Sequence, residues 1–97
     1  LGDVYKRQAY GVRVNAVLPG FTLTPAVART IPQAELAART KNILLRRPAD
    51  PREIAEPIVF LCSQSASYIT ATSLEVSGGS SVVLNPAYSY EQREKGR

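Results

Sequence analysis

The stretch GVRVNAVLPG, residues 11–20, decides the fold of this chain. Its apolar residues recur at every second position, as in a β-strand, and Val17 adds one on the opposite face. The residues that share one parity are Val12, Val14, Ala16 and Leu18. We therefore predict a strand over Val12–Leu18, covered on both faces near its C-terminal end and stopped by Pro19-Gly20.

Helical signals follow this strand. Thr24-Pro25 is typical of an N-cap with proline at the first helical position. Ile31-Pro32 should interrupt the helix, because the residue before a proline avoids the α region. We expect a second helical stretch from Pro32 to about Asn42.

The clearest helix begins at Asp50-Pro51-Arg52-Glu53, which has the residue types of a capping box. Apolar residues then recur at helical spacing, while Pro57 should kink or weaken the early turns. This predicted stripe consists of Ile54, Ile58, Leu61 and Cys62, with Cys62 as a core residue. A short strand, Ser73–Val76, completes a strand–helix–strand unit with parallel strands.

Composition excludes several classes of protein. The 97 residues fit at most one small domain, and 44% apolar with 21% charged residues excludes a disordered chain. No apolar run approaches the roughly 20 residues of a membrane span. With one cysteine and no histidine, neither a disulfide framework nor a metal site is expected. A reducing, cytoplasmic setting is our prediction.

The net charge of +4 raises the question of nucleic-acid binding. Basic residues are locally dense only over Arg39–Arg52, where no aromatic residue is available to stack on bases. We interpret them as a solvated face. A small, basic, non-enzymatic nucleic-acid-binding protein is the alternative function.

The two ends of the chain differ from its middle. Residues 1–8 lack helical or strand periodicity, and GAT GTG TAT AAG AGA CAG, which resembles a transposon-end adapter, encodes Asp3–Gln8. We predict that 1–8 is an adapter-derived segment; a genuine, disordered N-terminus is the alternative. Residues 80–97 are predicted to be a polar surface tail.

The order of motifs over about residues 9–79 resembles the C-terminal third of a short-chain dehydrogenase/reductase. The matching motifs are Arg13-Val14-Asn15, Pro19-Gly20 with Thr24, Arg47 with Pro51-Arg52-Glu53-Ile54-Ala55, Phe60-Leu61-Cys62-Ser63 and Ser67-Tyr68-Ile69-Thr70. The sequence departs from the family pattern at Ala71, Arg46 and Ala49, where glycine is usual or frequent. Ser77 stands where an aspartate is usual, before Gly78-Gly79.

The resemblance implies an α/β fold, the C-terminal part of a doubly wound NAD(P)-binding Rossmann domain. It implies a parent enzyme that transfers hydride between NAD or NADP and a small-molecule alcohol or ketone. The implied parent is a homo-oligomer, a dimer or tetramer, that binds neither nucleic acid nor membrane. The family's Tyr-x-x-x-Lys pair and glycine-rich loop are not found in this sequence. We assign no catalytic residue and expect an inactive C-terminal piece.

By the same resemblance, the loop after the first strand contacts the nicotinamide. The implied cofactor-binding residues are Pro19 beside the ring, Gly20 for close backbone approach, Thr22 through its backbone, and Thr24 through its hydroxyl. Pure N-capping is the alternative role for Thr24. Residues 27–42 would form a substrate lid over an apolar substrate. The implied lid residues are Phe21, Leu23, Val27 and Ile31, with Leu36; packing against a sheet is their alternative role.

Overall fold

The computed structural model describes residues 2–80 and 87–96. In chain order the elements are α1 (Gly2–Gln8), β1 (Ala16–Pro19), α2 (Pro25–Thr30), α3 (Gln33–Lys41), α4 (Pro51–Leu61), β2 (Ser73–Val76) and α5 (Tyr88–Lys95). A 3₁₀ turn, Gln64–Ala66, follows α4. None of the helices in the described ranges is long and apolar enough to cross a membrane.

β1 and β2 lie side by side and run parallel. Ala16 lies opposite Ser73, and Pro19 lies opposite Val76. Parallel neighbours need a crossover connection, and the helices α2, α3 and α4 lie between the two strands in the chain. The predicted α/β class and the parallel pairing are therefore confirmed, and β2 has its predicted bounds.

β1 is shorter than the predicted strand Val12–Leu18, and only one of the two faces predicted to be covered near its C-terminal end is partly covered. Val12 and Leu18 remain 43% and 45% exposed, whereas Val17, on the other parity, is half-buried. The reason is that α4 lies beside Val17, which lines a groove together with Ile58 and Leu61.

The residues before β1 bond to the turn before β2 through side chains. The Asn15 carboxamide donates to the Ile69 carbonyl (3.1 Å) and accepts from the Thr72 N–H (3.1 Å). The Arg13 guanidinium donates to the same Ile69 carbonyl at 3.0 Å. The Val14 N–H donates to the Thr70 hydroxyl at 3.2 Å. These contacts give the Arg-Val-Asn motif a structural role.

α2 and α3 begin and end where the sequence predicts. Thr24 caps α2 by accepting from the Val27 N–H, with Pro25 at the first helical position. The helix ends at Ile31, whose extended backbone leads into Pro32, the N-cap of α3. The predicted break at Ile31-Pro32 is confirmed.

The capping box of α4 is also confirmed. The Asp50 carboxylate accepts from the Arg52 N–H, and the Glu53 carboxylate accepts from the Asp50 N–H. Arg47 adds two hydrogen bonds to the Glu53 carboxylate, of 2.6 and 2.7 Å. The helix continues through Pro57 to Leu61.

The described residues bury few side chains, and the predicted apolar stripe of α4 is only partly covered. The buried apolar residues are Ile43, Leu61 and Ala66. Ile58 is 44% exposed, and Cys62 is exposed, so the prediction of Cys62 as a core residue was wrong. Both line a groove of about 430 Å³ beside β1 that no described residue fills.

Each end of the chain contains a short helix that the sequence did not predict. Gly2–Gln8 forms α1, although its sequence lacks a helical period. The predicted tail contains α5, in which the Tyr90 hydroxyl donates to the Leu44 carbonyl at 2.7 Å. The Arg46 guanidinium lies 4.4 Å from the centre of the Tyr90 ring. Residues 1, 81–86 and 97 of the predicted end segments lie outside the described ranges.

Among the residues that the structure describes, two non-glycine residues adopt left-handed backbone conformations. Ala71 has φ 62° and Arg46 has φ 60°. Both stand where the resembled family commonly has glycine, so the departures noted in the sequence place a Cβ at left-handed positions. Such conformations cost non-glycine residues roughly 1–2 kcal/mol each.

We predict that Ala71→Gly raises the free energy of unfolding by about 0.5–1 kcal/mol, since relief of the left-handed strain exceeds the added entropy of the unfolded chain. The matched control is Ala37→Gly, in the exposed middle of α3, which should lower the free energy of unfolding by about 0.5–1 kcal/mol. Urea unfolding followed by circular dichroism measures both. Shifts of the same sign would contradict the assignment of strain to residue 71.

The Arg47–Glu53 pair predicts a dependence of stability on pH. The hydrogen bonds from the Arg47 side chain, and then that from the Asp50 N–H, lower the pKa of Glu53 from 4.5 to about 2. Because the folded pKa is depressed, the stabilisation is complete above pH 4.5 and is lost as pH falls toward 2.

Glu53→Gln should therefore destabilise the chain at pH 6 and have a diminishing effect at pH values approaching 2. The measurement is the urea midpoint as a function of pH. Glu56→Gln, on the same helix, is the control, and the variant should still lose stability as the pH falls toward 2. Parallel pH profiles for the wild type and Glu53→Gln would contradict the prediction.

Candidate functional site

A cleft of about 500 Å³ lies between the loop that leaves β1 and the helices α2 and α3. It forms at the carboxyl end of a parallel strand, where open α/β sheets bind ligands. The residues that line it are Gly20, Phe21, Thr22, Val27, Thr30, Ile31, Pro32, Glu35 and Arg39.

Gly20 allows the loop to turn away from the sheet in close contact with the end of β2. Its N–H donates to the Val76 carbonyl at 2.9 Å. A Cβ at this position would lie 2.7 Å from the Cα of Ser77. Glycine is therefore required here because the backbone of residue 20 lies against Ser77, in addition to any contact with a ligand.

The backbone N–H and C=O of Thr22 point away from the segment that contains Ala49. The Ala49 carbonyl accepts from the Leu23 N–H (2.8 Å), and the Ala49 N–H donates to the Phe21 carbonyl (2.9 Å). In such a parallel bridge, the residue between the two bonds directs its own N–H and C=O the other way. The Thr24 N–H is one partner of the Thr22 carbonyl, at 3.2 Å.

The Thr24 side chain has a structural partner. Its hydroxyl oxygen accepts from the Val27 N–H at 3.2 Å, so the capping role is confirmed. Thr24 does not line the cleft, and neither do Pro19 and Leu23. Leu36 does not line it either, so the cleft brings together five of the nine residues predicted for cofactor and lid. These are Gly20, Phe21, Thr22, Val27 and Ile31.

The charged pair in the cleft wall was missed by sequence reasoning. A guanidinium nitrogen of Arg39 lies 3.2 Å from the Glu35 carboxylate, and both side chains are about half exposed. The guanidinium also lies 5.1 Å from the centre of the Phe21 ring. The i,i+4 spacing of Glu35 and Arg39 could have indicated the ion pair. Nothing in the sequence could have indicated the contact with Phe21.

Comparison with known proteins gives a consistent family. The family model described as Enoyl-(Acyl carrier protein) reductase matches residues 5–81. The chain is 41% identical over 70 residues to the (3R)-3-hydroxyacyl-CoA dehydrogenase of Homo sapiens, covering 72% of this chain and 26% of that protein. It is 42% identical over 79 residues to Oxidoreductase UcpA of Salmonella typhimurium, covering 74% of this chain and 30% of that protein.

The chain therefore spans between a quarter and a third of the length of these curated relatives. The family match includes the cleft loop, α2, α3, α4 and β2. Because the match covers most of the chain and follows the motifs quoted from its sequence, this chain belongs to the short-chain dehydrogenase/reductase family.

Proposed function

We propose that this chain is the C-terminal part of an NAD(P)-dependent oxidoreductase that acts on a small-molecule alcohol or ketone. The observation that carries the proposal is that Thr22 lines the cleft and that its backbone N–H and C=O face away from Ala49. A primary carboxamide, as in nicotinamide, offers the complementary acceptor and donor. NAD and NADP both fit this proposal.

The loop residues have compatible roles toward such a cofactor. The Thr22 backbone would bind the carboxamide, while Pro19 and Gly20 would lie beside the ring. The Thr24 hydroxyl accepts from the Val27 N–H and still has its own proton to donate, so capping leaves a ligand contact possible. When bound, the nicotinamide supplies or accepts the hydride that converts carbonyl and alcohol.

The lid role is proposed for the apolar residues around the cleft. Phe21, Val27 and Ile31 line it together and would exclude water from an apolar substrate. Leu23 does not line it, so its part in the lid is proposed from the family resemblance alone. A homo-oligomeric parent is also proposed, since Val59 and Phe60 on α4 are 67% and 43% exposed. The cytoplasmic setting is proposed because one cysteine cannot form an internal disulfide framework.

Three of the four arginines of the basic stretch 39–52 support this function over nucleic-acid binding. Arg39 contacts Phe21, Arg46 contacts Tyr90, and Arg47 bonds Glu53. Side chains held by protein partners in three separate places do not form the contiguous basic stripe that phosphate binding needs.

We predict that the purified 97-residue chain transfers no hydride between NADH or NADPH and any ketone. None of its tyrosines is followed four residues later by lysine, and loss of a positioned acid–base group alone typically costs about 10²–10⁴ in rate. The measurement is absorbance at 340 nm against a protein-free blank. Turnover above that blank, with contaminating reductases excluded, would contradict the prediction. An in-frame Tyr-x-x-x-Lys in the upstream DNA would support the parent's activity.

Nicotinamide mononucleotide should shift the Thr22 amide resonance in the nitrogen-15 spectrum of the chain. Thr22→Pro removes the N–H donor and its resonance, so the affinities of the variants are compared through the Gly20 amide, which lies in the same cleft. This substitution should weaken binding by roughly fivefold, the value of about one hydrogen bond. Thr22→Val is the matched control, since it keeps the backbone N–H and replaces with a methyl group the hydroxyl that donates to the Gly20 carbonyl at 3.1 Å. Equal affinities for the two variants would contradict the backbone contact.

A further inference from the structure

Arg39 is a basic side chain fixed at the cleft by an aromatic ring. Its guanidinium lies 5.1 Å from the centre of the Phe21 ring, so α3 and the loop after β1 meet at this contact. Stacking on an aromatic face orients the guanidinium plane while leaving its edge N–H groups available to acceptors.

The Glu35 carboxylate uses only part of the donor capacity of Arg39. The guanidinium carries five N–H donors, and the described contact joins one Nη2 atom to one Glu35 oxygen at 3.2 Å. Across residues 2–80 and 87–96, Arg39 has no second carboxylate partner. Because half-exposed pairs of this i,i+4 type are weak, a ligand with two anionic oxygens can share Arg39 or replace Glu35.

The rest of the cleft is suited to an apolar group. Val27 and Ile31 line it from α2 and from the turn that follows, and Phe21 lines it from the loop. An apolar surface beside a guanidinium is complementary to a molecule with a hydrocarbon part and an anionic end. Neither the apolar surface nor the guanidinium alone would select a molecule that has both a hydrocarbon part and an anionic end.

We infer that Arg39 is a specificity-determining residue that binds an anionic group, a carboxylate or phosphate, of a carbonyl substrate whose apolar part lies against Val27 and Ile31. Glu35 occupies the guanidinium until this group arrives. That the bound molecule is a carbonyl substrate rests on the proposed function. That the site binds an anion rests on the contacts of Arg39.

The test uses the complete 97-residue chain labelled with nitrogen-15 and carbon-13, and two probes of equal length, hexanoate and its neutral isostere hexanamide. Hexanoate should shift the Arg39 side-chain N–H and the Ile31 methyl resonances together. Hexanamide should bind roughly tenfold more weakly, since it lacks the charge-assisted bonds. Equal affinities for the two probes would overturn the inference.

Three variants separate a specific site from general positive charge. Arg39→Gln should weaken hexanoate binding roughly tenfold, and Glu35→Gln should strengthen it about twofold because the competing carboxylate is gone. Arg29→Gln, on α2 outside the cleft lining, is the matched control and should bind as the wild type does. Equal losses for Arg39→Gln and Arg29→Gln would overturn the inference. The resonance of the buried Ala66 reports whether each variant is folded.

The remaining outcomes distinguish this inference from the proposed function. A Thr22 shift with nicotinamide mononucleotide but no Arg39 response to hexanoate would overturn the anion site and leave the proposed function standing. An Arg39 response to hexanoate without the Thr22 shift would overturn the proposed nicotinamide contact and leave the anion site standing. Displacement of hexanoate from Arg39 by the phosphate of the mononucleotide would assign the site to the cofactor and overturn the substrate assignment. A spectrum without dispersed Phe21 and Ile31 resonances would also overturn it, since the chain would then lack the cleft.

Discussion

The Asn15 carboxamide fixes the register on which the sheet and the cleft depend. It bonds the Ile69 carbonyl and the Thr72 N–H, and the ladder begins at the next residue, where the Ala16 N–H donates to the Thr72 carbonyl. A slip of one residue would turn every side chain of a strand to the opposite face. With this register, Val17 faces α4.

The same register brings the ends of both strands to one point, and the cleft is built from there. The Gly20 N–H reaches the Val76 carbonyl, and the absence of a Cβ permits contact with Ser77. From that point the loop passes Ala49 in a parallel bridge and enters α2 at the Thr24 cap. Backbone hydrogen bonds thus position the loop side of the cleft. Its other side is formed by α2 and α3, two short helices that bury none of their residues.

Much of the local structure could be predicted because its causes lie within a few residues of one another. The Asp50 capping box, the Thr24 cap and the break at Ile31-Pro32 each depend on neighbours in sequence, and each is confirmed. The length of β1 and the exposure of Cys62 were predicted wrongly. Both depend on what packs against the element, and a periodic pattern does not contain that information.

The sequence by itself determined the family, the order of the elements from β1 to β2, and which loop carries the candidate site, because motifs and caps are encoded by adjacent residues. Only the tertiary structure decided that Gly20 meets Ser77, that Arg39 lies over Phe21, and that Tyr90 bonds the Leu44 carbonyl. These partners are 18 to 57 positions apart in the chain. Their contacts arise when parallel pairing and helix packing bring distant segments together, which no local preference specifies.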